Sequence, residues 1–201
     1  AANTTITGYT GSLNLFDNNV NGNLILNDST DRLGPNNINA NSIIGGYLTI
    51  STNSTAGTAE THIGNNNANY VYGNVTFNIN APVLFNAVGI HIDNDLNLNS
   101  NVAPQYIVLG GIYFTGGAES HIRQLGTTPV TIGYLYTEKN STQAYIIPEQ
   151  NIFIKNNVQF LIGIIKTTAT KLIIFNDNAG VNQTSSASWV WGPIKKTGND
   201  A

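Results

Sequence analysis

Four short segments of alternating apolar residues recur along the first half of the chain: Gly22-Asn23-Leu24-Ile25-Leu26, Gly46-Tyr47-Leu48-Thr49-Ile50, Gly73-Asn74-Val75-Thr76-Phe77 and Asn94-Asp95-Leu96-Asn97-Leu98. Their starts are 24, 27 and 21 residues apart, close to one coil of a parallel β-helix, which takes on the order of 20 to 30 residues. Each segment is too short to bury its apolar face alone, so the spacing points to stacking of one coil on the next. Alternation sends one set of side chains inward and the other outward. In Leu96-Asn97-Leu98 the leucines face in, and Asn97 faces water or stacks with its counterparts. The unequal steps require turns of unequal length. Asp17-Asn18-Asn19-Val20-Asn21 precedes the first segment and Asn65-Asn66-Asn67-Ala68-Asn69 lies just ahead of the third, a weak self-similarity and not an exact repeat.

Further strands are expected at Ile107-Val108-Leu109, Ile112-Tyr113-Phe114, Val130-Thr131-Ile132, Tyr134-Leu135-Tyr136, Tyr145-Ile146-Ile147, Ile152-Phe153-Ile154 and Lys171 to Phe175. Helical periodicity is almost missing. The best candidate, Val158 to Ile165, is apolar all round and rich in β-branched residues, and reads better as a pair of buried strands. The chain holds 32 Asn and 20 Gly, residues that tolerate the tight corners a coiled chain needs. A hydrophobic content of 41% at regular spacing sustains a core and argues against disorder. The expected fold is all-β, a right-handed parallel β-helix or β-solenoid forming a single continuous domain over residues 1–201.

Charged residues make up only 9% of the 201 residues, against about 25% in ordinary soluble domains, so uncharged polar groups must solvate the surface. A net charge of −3 with no basic block longer than Lys195-Lys196 argues against nucleic-acid binding, which needs a dense cationic stripe. No run approaches 18 apolar residues, so membrane insertion is not expected. The absence of cysteine removes disulfides and thiolate metal sites and is compatible with an extracellular location.

Residues 158–200 carry the most specific pattern. Gly163, Ile165, Thr167, Thr168, Thr170 and Leu172 are followed by Ser186, Ser188, Val190, Gly192-Pro193, Lys196 and Gly198-Asn199. This resembles a C-terminal module of the large Asn- and Gly-rich surface proteins of Bacteroidota. A second stretch, Gly116 to Ile154 with Arg123-Gln124-Leu125-Gly126-Thr127-Thr128-Pro129, is similar to coils of related Asn- and Gly-rich surface repeats. The resemblance departs at Trp189 and Trp191, where smaller residues are usual. It implies export through the type IX route, a parallel β-helix or related stacked-β body, and a role as adhesin, stalk or surface filament. It also implies that residues 1–201 are a fragment of a longer chain.

His91-Ile92-Asp93-Asn94-Asp95 is the one constellation with metal-ligand character. If all five lay on one strand, His91, Asp93 and Asp95 would share a face, and the carboxylate oxygens would favour Ca²⁺ or Mg²⁺. The competing reading is a solvated outer face, and no cofactor is otherwise expected. Asp17, Asp28, Asp31 and Glu60 are the other source of paired carboxylates, but Arg32 and Arg123 stand far apart in sequence with few charges nearby, which argues against catalysis. His121 stands alone. Trp189 and Trp191 alternate onto one face, as a contact face for sugar rings or, on the favoured reading, as the cover of a terminal coil or subunit contact.

These observations support a non-enzymatic structural rod or filament component at the cell surface, with adhesive potential. Its expected partners are neighbouring copies of itself, further repeats of the same chain, and surface glycans. The alternative is a carbohydrate-binding or polysaccharide-cleaving β-helix. An ice-binding solenoid would show regular outward Thr rows, and Thr4-Thr5-Ile6-Thr7 with Thr49-Ile50-Ser51 do not extend into one.

Overall fold

A computed structural model describes residues 3–7, 14–15, 19–28, 36–38, 43–52, 60–63, 69–80, 84–87, 89–102, 107–108 and 111–198. The chain is an all-β solenoid in one domain, and no described residue is helical. Strand pairings among the described residues are parallel, as stacking of successive coils requires. The exceptions are two single-residue bridges, Thr168 with Lys171 and Ser185 with Ser188, which close tight turns.

The longest ladder stacks Asn3–Thr7, Asn23–Asp28, Leu48–Thr52, Val75–Ile79, Leu96–Ser100, Ser120–Gln124, Tyr145–Pro148, the end of Ile152–Lys166, and Ser188–Trp191. Leu24 pairs with Leu48, Leu48 with Val75, and Val75 with Leu96. The recurrence seen in the sequence is therefore the coil itself. A second ladder stacks Asn14–Leu15, Asn36–Ile38, Glu60–Ile63, Leu84–Ala87 and Ile107–Val108. A third begins with Asn19–Val20, Ile43–Ile44, Asn69–Val71, Ile90–Ile92 and Ile112–Phe114, and continues into Thr131–Glu138.

From residue 131 onward the strands run around the corners. Val130 to Tyr136, expected as two strands, forms the single strand Thr131–Glu138, which also contacts Ile107–Val108. Residues 152–165, expected as separate strands, form the 15-residue strand Ile152–Lys166. Register shifts between Ile132 and Tyr134 and between Thr137 and Glu138 bend these strands without breaking the pairing. Alternation marks where side chains point, but a bulge leaves no signature in alternation, so the sequence reads as two pieces. The segment resembling a surface-protein module is continuous with the solenoid, because Gly180–Gln183, Ser188–Trp191 and Ile194–Lys196 each pair with the strands before them.

Columns of stacked side chains fill the interior. Leu26, Ile50, Phe77 and Leu98 form one column; Ile44, Val71, Ile92, Phe114, Thr137 and Phe160 form another. Phe77, Leu98, Ile92 and Phe114 are fully buried, and the buried apolar residues make one contiguous cluster. At about 25 cal/mol per Å² of apolar area removed from water, this interior is the main stabilising term.

Asparagine has a specific task at the corners. The Asn23 Oδ1 accepts the backbone N–H of Tyr47, stacked one coil later, at 3.1 Å. Asn74 does the same for Asp95 at 3.2 Å, and Asn151 for Leu172 at 3.0 Å. Each amide oxygen satisfies a donor that leaves the ladder where the chain turns. Beside this column runs Gly22, Gly46 and Gly73, joined by N–H to O=C bonds of 2.9 and 2.8 Å. A Cβ at Gly73 would stand 2.5 Å from the Gly46 carbonyl oxygen, so the close approach of the coils requires glycine there.

Candidate functional site

The outward side chains of the longest ladder change character along its length. In its earlier coils the face is a set of uncharged hydrogen-bonded ladders. Asn78 Nδ2 donates to Ser51 Oγ at 3.2 Å, Asn97 Nδ2 to Thr76 Oγ1 at 3.2 Å, and Asn99 Nδ2 to Asn78 Oδ1 at 3.1 Å. Stacking of Asn97 with its counterparts, expected from alternation, is therefore what the structure shows.

One coil further the face becomes ionic. Arg123 Nη1 donates to Asp95 Oδ2 at 2.6 Å and Nε donates to Glu149 Oε1 at 2.9 Å, bridging three coils. The bond to Asp95 holds the guanidinium above its ordinary pKa. His121 Nε2 lies 3.2 Å from Glu119, and its Nδ1 lies 2.9 Å from Glu149 without the direction of a hydrogen bond. The expectation that Arg123 has few charges nearby and that His121 stands alone is corrected by this cluster. Asp95 and Glu149 stand 28 residues before and 26 residues after Arg123 in the sequence, and only the coil register brings them to it. Asp17, Asp31 and Arg32 lie outside the described residues.

The last described coils carry aromatic groups. Tyr145 pairs with Ile164 and Ile164 with Trp189, while Lys166 pairs with Trp191 on the same face. Trp189 is 46% and Trp191 54% exposed, whereas Ile164 beneath them is buried. Thr142, Gln143, Tyr145, Ile164, Trp189 and Trp191 line an open hollow of about 530 Å³. The two indoles thus share one outward face, as alternation implies, and that face is open among the described residues. Lys166 Nζ lies 5.2 Å from the Tyr145 ring centre and 5.1 Å from that of Trp191, within cation–π range.

The structure does not bring His91, Asp93 and Asp95 onto one face. Ile90–Ile92 ends before Asp93, the chain bends through Asp93 and Asn94, and the next strand begins at Leu96. Each side chain has a separate partner. Asp93 Oδ1 accepts the Thr115 hydroxyl at 2.6 Å, and Asp95 holds Arg123 and accepts the His121 backbone N–H at 2.8 Å. No group of three His, Asp or Glu side chains among the described residues is arranged to hold a metal ion.

His91 instead belongs to an aromatic stack on the third ladder. Ring centres of Tyr70 and His91 are 4.5 Å apart, His91 and Tyr113 4.4 Å, and Tyr113 and Tyr136 4.0 Å, with the last pair inclined by 9°. Burial lowers the pKa of His91, opposed by Asp93. Burial also raises that of Tyr113, helped by Tyr136. The signal was present in the sequence: Tyr70, His91, Tyr113 and Tyr136 are 21, 22 and 23 residues apart, the step of the coil. His91 and Tyr113 have a ring on each face, so the stack ties four coils together along one edge.

No family model, curated protein or solved structure matches this chain.

Proposed function

We propose that this chain is a structural rod segment of the cell exterior, a surface filament or stalk component that stacks with neighbouring copies or further repeats of its own chain and has an adhesive outer face. The observation that carries this reading is the uninterrupted parallel stacking from Asn3–Thr7 to Ser188–Trp191, with one contiguous apolar cluster among the described buried residues. A column of stacked strands is stiff along its axis because each coil is held by its neighbours. The outer face of its earlier coils, made of Asn, Thr and Ser ladders, keeps charge low while satisfying its own hydrogen bonds.

Placement at the surface of a Bacteroidota cell, with type IX export, rests on the likeness of residues 158–200 to surface-protein modules. The structure gives that pattern a physical sense. Gly163, Gly192 and Gly198 have φ of +105°, +126° and +111°, and a Cβ at Gly192 would lie 2.5 Å from the Thr167 carbonyl oxygen. Thr167 Oγ1 donates to the Pro193 carbonyl at 2.7 Å. Its glycines thus stand where the backbone needs positive φ, and at Gly192 also where the coils approach closely. A non-catalytic role is favoured by the ionic cluster, in which Arg123 engages both Asp95 and Glu149 and so spends their charge on tying coils together.

Electron microscopy of the purified chain at rising concentration tests the proposal. Filaments of single-solenoid width that lengthen with concentration are expected. Compact particles at every concentration contradict the filament role.

A further inference from the structure

We infer that the hollow around Trp189 and Trp191 is a binding site for an anionic pyranose, a uronate or a sulfated or sialylated sugar. This deepens the adhesive role proposed above by naming the class of ligand. Two exposed indoles on one face, beside Tyr145, are costly to leave open to water, and they offer flat apolar surface. Thr142 and Gln143 on the same rim supply a hydroxyl and an amide. A pyranose ring has this dual character, with a C–H face to lie on indole and hydroxyls at its edge. The hollow, about 530 Å³, falls within the range of small-ligand sites, about 300–1,000 Å³.

The charge pattern selects an acidic sugar over a neutral one. No carboxylate lines the hollow among the described residues. Lys166 borders the hollow without lining it: its ammonium stands 5.2 and 5.1 Å from the ring centres of Tyr145 and Trp191, both of which do line it. In the column that contains Lys166, Ile147 lies next and His121 one strand beyond it. Glu149, two residues beyond Ile147, turns its carboxylate the other way, with Oε1 2.9 Å from Arg123 Nε and 2.9 Å from His121 Nδ1. Asp95 is also engaged by Arg123. Lys166 is therefore a cation on an aromatic wall with no acidic partner within the hollow, and a carboxylate or sulfate on a stacked sugar would supply one.

The test is an array of defined neutral, uronate, sialylated and sulfated glycans probed with the folded full chain, followed by calorimetric titration of the strongest binder. Binding confined to anionic glycans is expected. Lys166→Gln, which changes an exposed head group and keeps the fold, should weaken that binding by about tenfold or more, and added salt should weaken it further. Trp191→Ala should abolish the ligand-induced change in tryptophan fluorescence, with circular dichroism confirming that the variant is folded. An empty array, a preference for neutral glycans, or binding indifferent to Lys166→Gln overturns the inference. Filaments in the microscope with an empty array would leave the rod reading standing, and anionic binding by compact particles would do the reverse.

Discussion

Lys139 is the charged side chain in the interior of the described solenoid, 1% exposed. Its Nζ donates to the Ser120 hydroxyl at 2.8 Å and to the carbonyls of Thr115 and Asp93, so one side chain ties three coils. Three acceptors match the three N–H donors of an ammonium. Burial nevertheless lowers its pKa from 10.5 to about 8, against the pull of Asp93 and Asp95. Across that interval the unfolded chain binds a proton that the folded chain has released, so this group makes stability rise with pH. Below pH 8 both states are protonated and its contribution is constant. Thermal unfolding of the wild type and Lys139→Met from neutral to strongly alkaline pH should give a difference in Tm that grows in favour of the wild type between about 8 and 10.5. Parallel profiles would contradict the assignment. Nothing in the sequence around Lys139 marks it as interior, because the neighbours that enclose it come from other coils.

The aromatic stack is the clearest case of an element built by register. Each ring pair contributes about 0.5–1.5 kcal/mol beyond its burial, so the three contacts through His91 and Tyr113 stiffen one edge of the solenoid. His91 is the weak rung in acid. Its folded pKa lies below 6.5, and in the interval between them the unfolded chain holds a proton that the folded chain lacks, so stability falls as pH drops through it. Asp93 opposes this, and Glu138 stands 3.7 Å from Nδ1 with its own pKa raised by burial. His91→Phe keeps the stack and removes the titration. The loss of Tm on going from pH 7 to pH 5 should be smaller in His91→Phe than in the wild type, and an equal loss would show that His91 is not the sensitive group. Strands were legible in the sequence wherever alternation was clean, as at Leu96–Ser100. They were misread where a bulge carried a strand around a corner, as at Thr131–Glu138.

For the whole molecule, period and alternation were enough to reach the solenoid, because a step of 21 to 27 residues between like segments leaves few other ways to bury them. The outward face was harder to read. Trp189 and Trp191 are neighbours in sequence, so their shared face was visible. Asp95, Arg123 and Glu149 meet only because the register of successive coils places them in adjacent rows, and His91, Asp93 and Asp95 do not share a face because the strand ends at Ile92 and the chain bends before Leu96. All of these contacts depend on the parallel, in-register stacking of coils. The chain contains no cysteine, so paired cysteines read that register directly. Ser51 is paired with Asn78, and Asn78 with Asn99. Adjacent parallel strands lie about 4.8 Å apart, within the span of about 4.4–6.8 Å that a disulfide bridges between Cα atoms. Mild oxidation should close an intramolecular disulfide in the Ser51→Cys, Asn78→Cys variant and leave Ser51→Cys, Asn99→Cys as free thiols. A Ser51→Cys, Asn78→Cys variant that stays reduced, or closure of the pair two coils apart, would contradict the stacked solenoid.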